Sequence, residues 1–238
     1  MSDKIIFAAP SFVKDFFSRW DYIGAKEKIS AVPTGIDLEQ FDNVESLPSS
    51  ILTDYGIEKE RYILYMGRLS FLKGVDYLIE AFKRSQKNNP DLKLVIAGRG
   101  DFEPYLRKVA KHVKGVLFLG FVDSIGLKKL LYKSSLAVVL PSPIYETSPM
   151  VILEAMSCSK PVIGTNVGGV PHMIRHGENG LLSKPRDSDD LSNLIDVLCE
   201  NRNLRNIMGI NGRKLVEKEF TSDLMANRTL KIYESLLE

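Results

Sequence analysis

The sequence predicts an α/β fold, a doubly wound and mainly parallel sheet with helices on both faces. Three observations carry that expectation. From Ile63 onward, short apolar runs alternate with segments of helical periodicity, the pattern of consecutive strand-helix units. Runs such as Leu-Val-Ile-Ala at 94–97 and Leu-Ala-Val-Val-Leu at 136–140 are almost continuously apolar, which fits strands covered on both faces. The composition, 44% hydrophobic and 26% charged over 238 residues, is that of an ordinary globular protein able to bury a full core.

In chain order, Lys4 to Ala9 reads as a strand and Ser11 to Trp20 as a helix with large apolar side chains. Pro33-Thr34-Gly35 marks a break, and Asp42 to Ser50 has the composition of a surface loop. Five strands follow: Tyr62 to Met66, Leu92 to Ala97, Val116 to Leu119, Leu136 to Leu140 and Pro161 to Gly164, each trailed by a helical segment. From Asp187 the pattern is two or three helices, with Leu191, Leu194, Ile195 and Leu198 at helical spacing.

Bulk properties exclude several function classes. With 32 basic against 30 acidic residues and no stretch of Lys and Arg interleaved with aromatics, nucleic acid is not expected as a partner. The two cysteines, Cys158 and Cys199, form no CxxC pair, so a reducing, cytoplasmic compartment is expected. The apolar run near the amino terminus is about five residues, below the ~7 to 15 of a signal-peptide core. No run approaches the ~18 apolar residues of a spanning helix, so membrane contact is expected to be at most peripheral.

Two segments carry chemistry. Gly67-Arg68-Leu69-Ser70-Phe71-Leu72-Lys73-Gly74 puts two cations in a loop at the carboxyl end of a parallel strand, where open α/β sheets bind ligands. Arg68 offers a planar fork of donors and Lys73 a movable point charge, suited to the roughly two charges of a diphosphate, and for this pair alone a solvated surface loop is the plainer alternative. The second segment runs from Pro141 to Met156 and holds Glu146 and Glu154. Ser148 followed by Pro149 reads as an N-cap and first helical residue, with free N–H groups aimed at the cleft. Glu154 would then lie ~7 Å along the helix, among Val151, Ile152, Leu153, Ala155 and Met156, where a carboxylate needs partners. A diol beside the cleft is one such partner, and a glutamate at the helix edge is the plainer alternative.

Here the residues reach a resemblance. Glu146 to Glu154 matches the EX7E motif, and Arg68 to Lys73 the RX4K motif, of the large retaining glycosyltransferase family of GT-B fold, often called family 4. Lys28 to Asp37 resembles that family's interdomain linker, and Gly168-Gly169-Val170-Pro171 and Asn179-Gly180-Leu181-Leu182 are similar to its later signatures. The resemblance implies that Arg68 and Lys73, in the loop opened by Gly67, bind the diphosphate, that Glu146 contacts the transferred sugar, and that Glu154 accepts the ribose hydroxyls. It implies that the Val122 backbone meets the nucleobase and that backbone amides from Thr147 through Ser148 and Met150 to Val151 complete the contacts. Thr147-Ser148-Pro149 stands where the family usually has Gly-Phe-Gly, Ser159 where Gly is common, and His172 where Glu often follows the Gly-Gly-x-Pro turn.

Three further patterns are weighed and set aside. Asp187-Ser188-Asp189 spells a DxD metal motif but follows Pro185 and opens a helix, so capping is the better reading. His172 and His176 have the spacing of a metal pair without a third ligand, and Gly98-Arg99-Gly100 lacks the third glycine of a dinucleotide fingerprint. No metal and no cofactor is expected beyond a UDP-, GDP- or ADP-linked sugar as substrate.

The expected division is an amino-terminal strand-helix piece and linker over residues 1–34, then a nucleotide-sugar-binding, Rossmann-like domain over 35–238. The expected function is the donor-binding half of an enzyme that moves a hexosyl group to an acceptor hydroxyl with retention. A complete enzyme of this type needs two such domains, ~300 residues in sum, and only about 34 residues precede the linker. The alternative is therefore a non-catalytic binding subunit or fragment that needs a separate acceptor domain; an epimerase or phosphorylase is a third reading. Residues 1–20, rich in Phe and Ile, are expected to pack on the carboxy-terminal helix, self-associate, or dock an acceptor domain.

Overall fold

A computed structural model describes residues 4–8, 29–43 and 47–237. The expected Ser11 to Trp20 helix lies outside the described residues. Among these residues β1 (Ile5–Phe7) pairs in parallel with β2 (Ile29–Ala31), with Ile5 opposite Ile29, and the pair is separate from the main sheet.

The main sheet has six parallel strands: β3 (Tyr62–Met66), β4 (Lys93–Ala97), β5 (Val116–Gly120), β6 (Ala137–Leu140), β7 (Val162–Thr165) and β8 (Gly180–Ser183). The spatial order is β5-β4-β3-β6-β7-β8. The chain starts in the middle, winds outward to β5, and returns to β6 on the other side of β3. This is the order of doubly wound dinucleotide-binding sheets, whose crevice opens between the two central strands. The expected sheet of five strands is thus short by one. Gly180–Ser183 carries only two apolar residues, and its strand character comes from pairing with β7, Ile163 opposite Leu181.

Strand pleating sorts side chains between two cores. Tyr62 and Leu64 point to one face with Val95 and Val138, while Ile63 and Tyr65 point to the other with Leu94 and Val139. All of these are buried, which is why the runs lack polar alternation. The first core is closed by α5 (Ile125–Ser134), α6 (Met150–Ser157) and α9 (Arg202–Glu219), the second by α3 (Val75–Ser85), α4 (Glu103–Ala110) and α8 (Ser188–Glu200). Each fully buried Leu or Ile in these layers contributes ~1.5 to 3 kcal/mol relative to exposure.

The remaining helices are α1 (Glu39–Asp42), α2 (Ser50–Asp54), α7 (Val170–Met173) and α10 (Ser222–Glu234). The first two flank the stretch expected as an Asp42 to Ser50 loop, sharing only its end residues. The linker is tied to the start of α10: Ile36 N–H donates to Phe220 O at 2.8 Å and Ser222 N–H to Ile36 O at 3.0 Å. Arg213 on α9 fastens α1, donating to both carboxylate oxygens of Asp42 at 2.9 and 2.7 Å.

Candidate functional site

The site forms where β3 and β6 end side by side. After Met66 the chain runs through Gly67 and Arg68 to a 3-10 turn at Phe71–Lys73, then enters α3. Gly74 joins the turn to the helix at φ +65°, and a Cβ there would overlap the Pro141 carbonyl. A side chain at Gly74 would therefore push the cation-bearing loop away from the segment that follows β6.

That segment, 141–149, leads to α6. The helix starts at Met150 with Pro149 as N-cap, and no side chain caps it. Ser148 is therefore not the N-cap, and the start falls one residue later than the sequence indicated. Proline fixes the entry φ at −69° and the first N–H groups of the helix stay free of intrahelical partners.

A cleft of ≈ 440 Å³ opens over these ends. It is lined by Gly67, Arg68, Lys73, Val122, Glu146, Met150, Val151 and Glu154, all expected from the sequence. Thr147 and Ser148 stand in the loop between Glu146 and α6 and are not among the lining residues. Lys73 Nζ lies 2.6 Å from Glu146 Oε1, although the two are 73 positions apart. Glu154, inside α6, accepts from the Tyr132 hydroxyl at 2.6 Å through Oε2. Ser142 donates to Glu146 Oε1. The backbone of Glu146 is held as well, since Gly169 N–H donates to its carbonyl at 2.7 Å.

Sequence reasoning missed several lining residues. Arg99, just past β4, and Lys128, in the first turn of α5, both face the cleft with Tyr65 and Phe121. Arg99 follows a parallel strand as Arg68 does, so the rule that found one would have found the other. Among the described residues the side chains of Arg68, Arg99 and Lys128 have no hydrogen bond or ion pair. Four cations against two carboxylates leave an excess of two positive charges in the cleft. The Tyr65 hydroxyl donates to Arg68 O at 2.7 Å and braces the loop. Burial, and then the charge of Glu146, push that hydroxyl above its usual range, so it remains a donor.

The set-aside motifs have structural partners. Asp187 caps α8 by accepting from Asp190 N–H at 2.9 Å, and Asp189 pairs with Arg84. His176 Nδ1 accepts from Leu182 N–H at 3.0 Å. Among the described residues no three His, Cys, Asp or Glu side chains cluster in a way that could hold a metal ion. Burial pushes the Cys158 and Cys199 thiols up to about 12, which leaves them protonated and unreactive at neutral pH. No described helix is long and apolar enough to cross a membrane.

Residues 51–215 match the family of glycosyl transferases group 1. An uncharacterized glycosyltransferase of Methanocaldococcus jannaschii is 34% identical over 219 residues, 90% of this chain and 55% of that protein. N-acetyl-alpha-D-glucosaminyl L-malate synthase of Bacillus anthracis is 32% identical over 188 residues, 77% of this chain and 48% of that protein. The chain thus spans about half the length of the curated relatives it matches. Among solved structures, the C-terminal domain of a glycosyl transferase group 1 family protein from Francisella tularensis aligns with TM-score 0.69 and 28% identity, over 79% of this chain and 100% of that one. Anabaena HepE in complex with UDP and glucose aligns with TM-score 0.87 and 22% identity, over 99% of this chain and 64% of that one.

Proposed function

The chain belongs to the glycosyl transferases group 1 family, and from that premise we propose that it is the donor-binding part of a retaining, family 4 glycosyltransferase that moves a hexosyl group from a nucleoside diphosphate to an acceptor hydroxyl. The observation that carries this reading is the meeting of the two spaced motifs in one cleft, Lys73 Nζ 2.6 Å from Glu146 Oε1 at the switch point of the sheet. In this reading Arg68 and Lys73 hold the diphosphate with the free N–H groups of α6, Glu146 contacts the sugar, Glu154 takes the ribose hydroxyls, and Gly67 and Val122 flank the nucleotide. The backbone of Thr147, Ser148, Met150 and Val151 completes the contacts to diphosphate and sugar.

The cleft's two excess positive charges match the roughly two negative charges of a bound diphosphate. As the bond from the anomeric carbon to the phosphate oxygen breaks, its electron pair goes to that oxygen. Cations gathered at the cleft stabilise the growing charge more than the ground state. The acceptor oxygen bonds to the anomeric carbon on the same face, and its proton passes to the departing phosphate oxygen. This route takes no protein base and no metal.

In this reading residues 1–34 belong to the acceptor-binding side and residues 35–238 form the donor domain. The described residues contain one six-stranded parallel sheet besides the β1-β2 pair, and in this reading these 238 residues are expected to bind donor without transferring it unless an acceptor-binding part is supplied. UDP is the first probe, because HepE is known in complex with UDP. Titration of UDP, GDP and ADP against wild type and Arg68→Ala tests the proposal: equal binding by both proteins removes the diphosphate role. Transfer assays with and without an added acceptor domain separate a complete catalyst from a binding part, and the product's anomeric configuration by NMR tests retention.

A further inference from the structure

Two buried hydroxyls each hold one cleft glutamate by one oxygen. Tyr132, from α5, donates to Glu154 Oε2 at 2.6 Å, and Ser142, two residues past β6, donates to Glu146 Oε1, the oxygen that Lys73 also reaches. Tyr132 and Ser142 are each 0% exposed and neither lines the cleft, whereas both glutamates do. The hydroxyls therefore act on whatever occupies the cleft only through the carboxylates. Burial, then the charge of Glu154 and the hydrogen bond to it, push the Tyr132 hydroxyl well above its usual range, so it stays a donor wherever the fold persists.

A glutamate's terminal torsion is broad and two-fold, so an untethered carboxylate samples many orientations. Fixing one oxygen removes that freedom before the ligand arrives, and the other oxygen keeps both its acceptor sites for the ligand. We infer that Tyr132 and Ser142 are positioning residues that tie back Glu154 Oε2 and Glu146 Oε1, leaving Glu154 Oε1 to select a ribose diol and Glu146 Oε2 to select the donor sugar. The inference rests on the reading that Glu154 serves the ribose and Glu146 the sugar. It differs from a packing role, in which the hydroxyls only need acceptors and their loss costs stability alone.

The test uses titration calorimetry with whichever of UDP, GDP and ADP the wild type binds most tightly, its 2′,3′-dideoxy analogue, and its glucose conjugate. Tyr132→Phe is expected to cut the preference for the ribonucleotide over the dideoxynucleotide about tenfold, with dideoxynucleotide affinity within about twofold of wild type. Ser142→Ala is expected to cut the preference for the nucleotide sugar over the bare nucleotide by a similar factor. The second variant removes one oxygen and keeps the test open should Tyr132→Phe not fold. Preferences that stay at wild-type values while the thermal midpoint falls overturn the inference, judged separately for each residue. If Glu154→Ala keeps the ribose preference, Glu146→Ala keeps the sugar preference, or the wild type binds none of the three nucleotides, the underlying reading fails instead.

Discussion

Gly168→Ala tests whether the Glu146 backbone sets the sugar end of the cleft. Gly168 sits at φ +53°, and a Cβ there would overlap Glu146 O and come 2.9 Å from Glu146 N. Alanine at this position meets two costs. The left-handed backbone costs a non-glycine residue ~1 to 2 kcal/mol. Restoring ordinary contact of about 3.5 Å also moves the Glu146 carbonyl oxygen by roughly 1 Å or more. Gly177 separates the two, since it has φ +84° and nothing within 4 Å of its Cβ position. Gly177→Ala is expected to lower the thermal midpoint by ~2 to 8 °C and to leave ligand binding alone. Gly168→Ala is expected to melt lower still and to lose about tenfold or more in nucleotide-sugar affinity, because shifts near 1 Å in a positioned group cost up to ~100-fold. The assays are a thermal melt and parallel titrations with a nucleoside diphosphate and its sugar conjugate. If Gly168→Ala matches Gly177→Ala in both, the backbone of Glu146 is not what orients it.

Ser159→Gly is expected to raise the thermal midpoint by ~2 to 4 °C: Ser159 holds φ +55° at the end of α6, with Ser159 N–H bonded to Met156 O and Lys160 N–H to Ala155 O, the hydrogen-bond pair of a glycine C-cap. An unchanged or lower midpoint would contradict it. The Arg213 hydrogen bond holds the Asp42 carboxyl below the ordinary aspartate range of ~3.9, so the stability it contributes is complete above that range and is lost as pH falls through the folded value. The midpoint gap between wild type and Arg213→Ala is therefore expected to be constant from about pH 7 to 5 and to narrow below about pH 4; a gap unchanged at pH 2.5 refutes the assignment. Arg99→Ala and Lys128→Ala are each expected to weaken nucleoside diphosphate binding about 5- to 20-fold and to flatten its dependence on salt, and unaltered titrations at low and high salt would remove them from the site.

The central strands were legible because burial on both faces leaves a nearly continuous apolar run, as at Leu94 to Ala97. β8 was not, because Gly180–Ser183 draws its strand character from lying beside β7, a relation no local pattern encodes. The same distinction governs the site. Arg68 with Lys73 and Glu146 with Glu154 were found because each pair is close in sequence at the end of a strand. Tyr132 reads as one more apolar position beside Leu130 and Leu131, all buried. Its bond to Glu154 joins α5 to α6 and exists only after both helices pack on the sheet. Ser142 belongs to the segment that carried the motif, yet nothing marks a serine as a tether until the chain turns Glu146 back toward it.

Crossing from β5 back to β6 makes the sheet deliver both motifs to one point, and it also explains why Lys73 and Glu146 pair. The ion pair does not compete fully with a diphosphate, because a lysine ammonium has three N–H donors and Glu146 uses one. Arginine at this position would commit a rigid fork to the carboxylate, whereas the ammonium can bond Glu146 and a phosphate oxygen together. Lys73 is about a third exposed and Glu146 about an eighth, and both line the cleft. In the proposed reading, a bridging lysine couples the two ends of a donor: holding Glu146 fixes the sugar side, and the remaining donors fix the leaving group. Lys73→Arg is therefore not a conservative change here, since it keeps the charge and gives up the bridge.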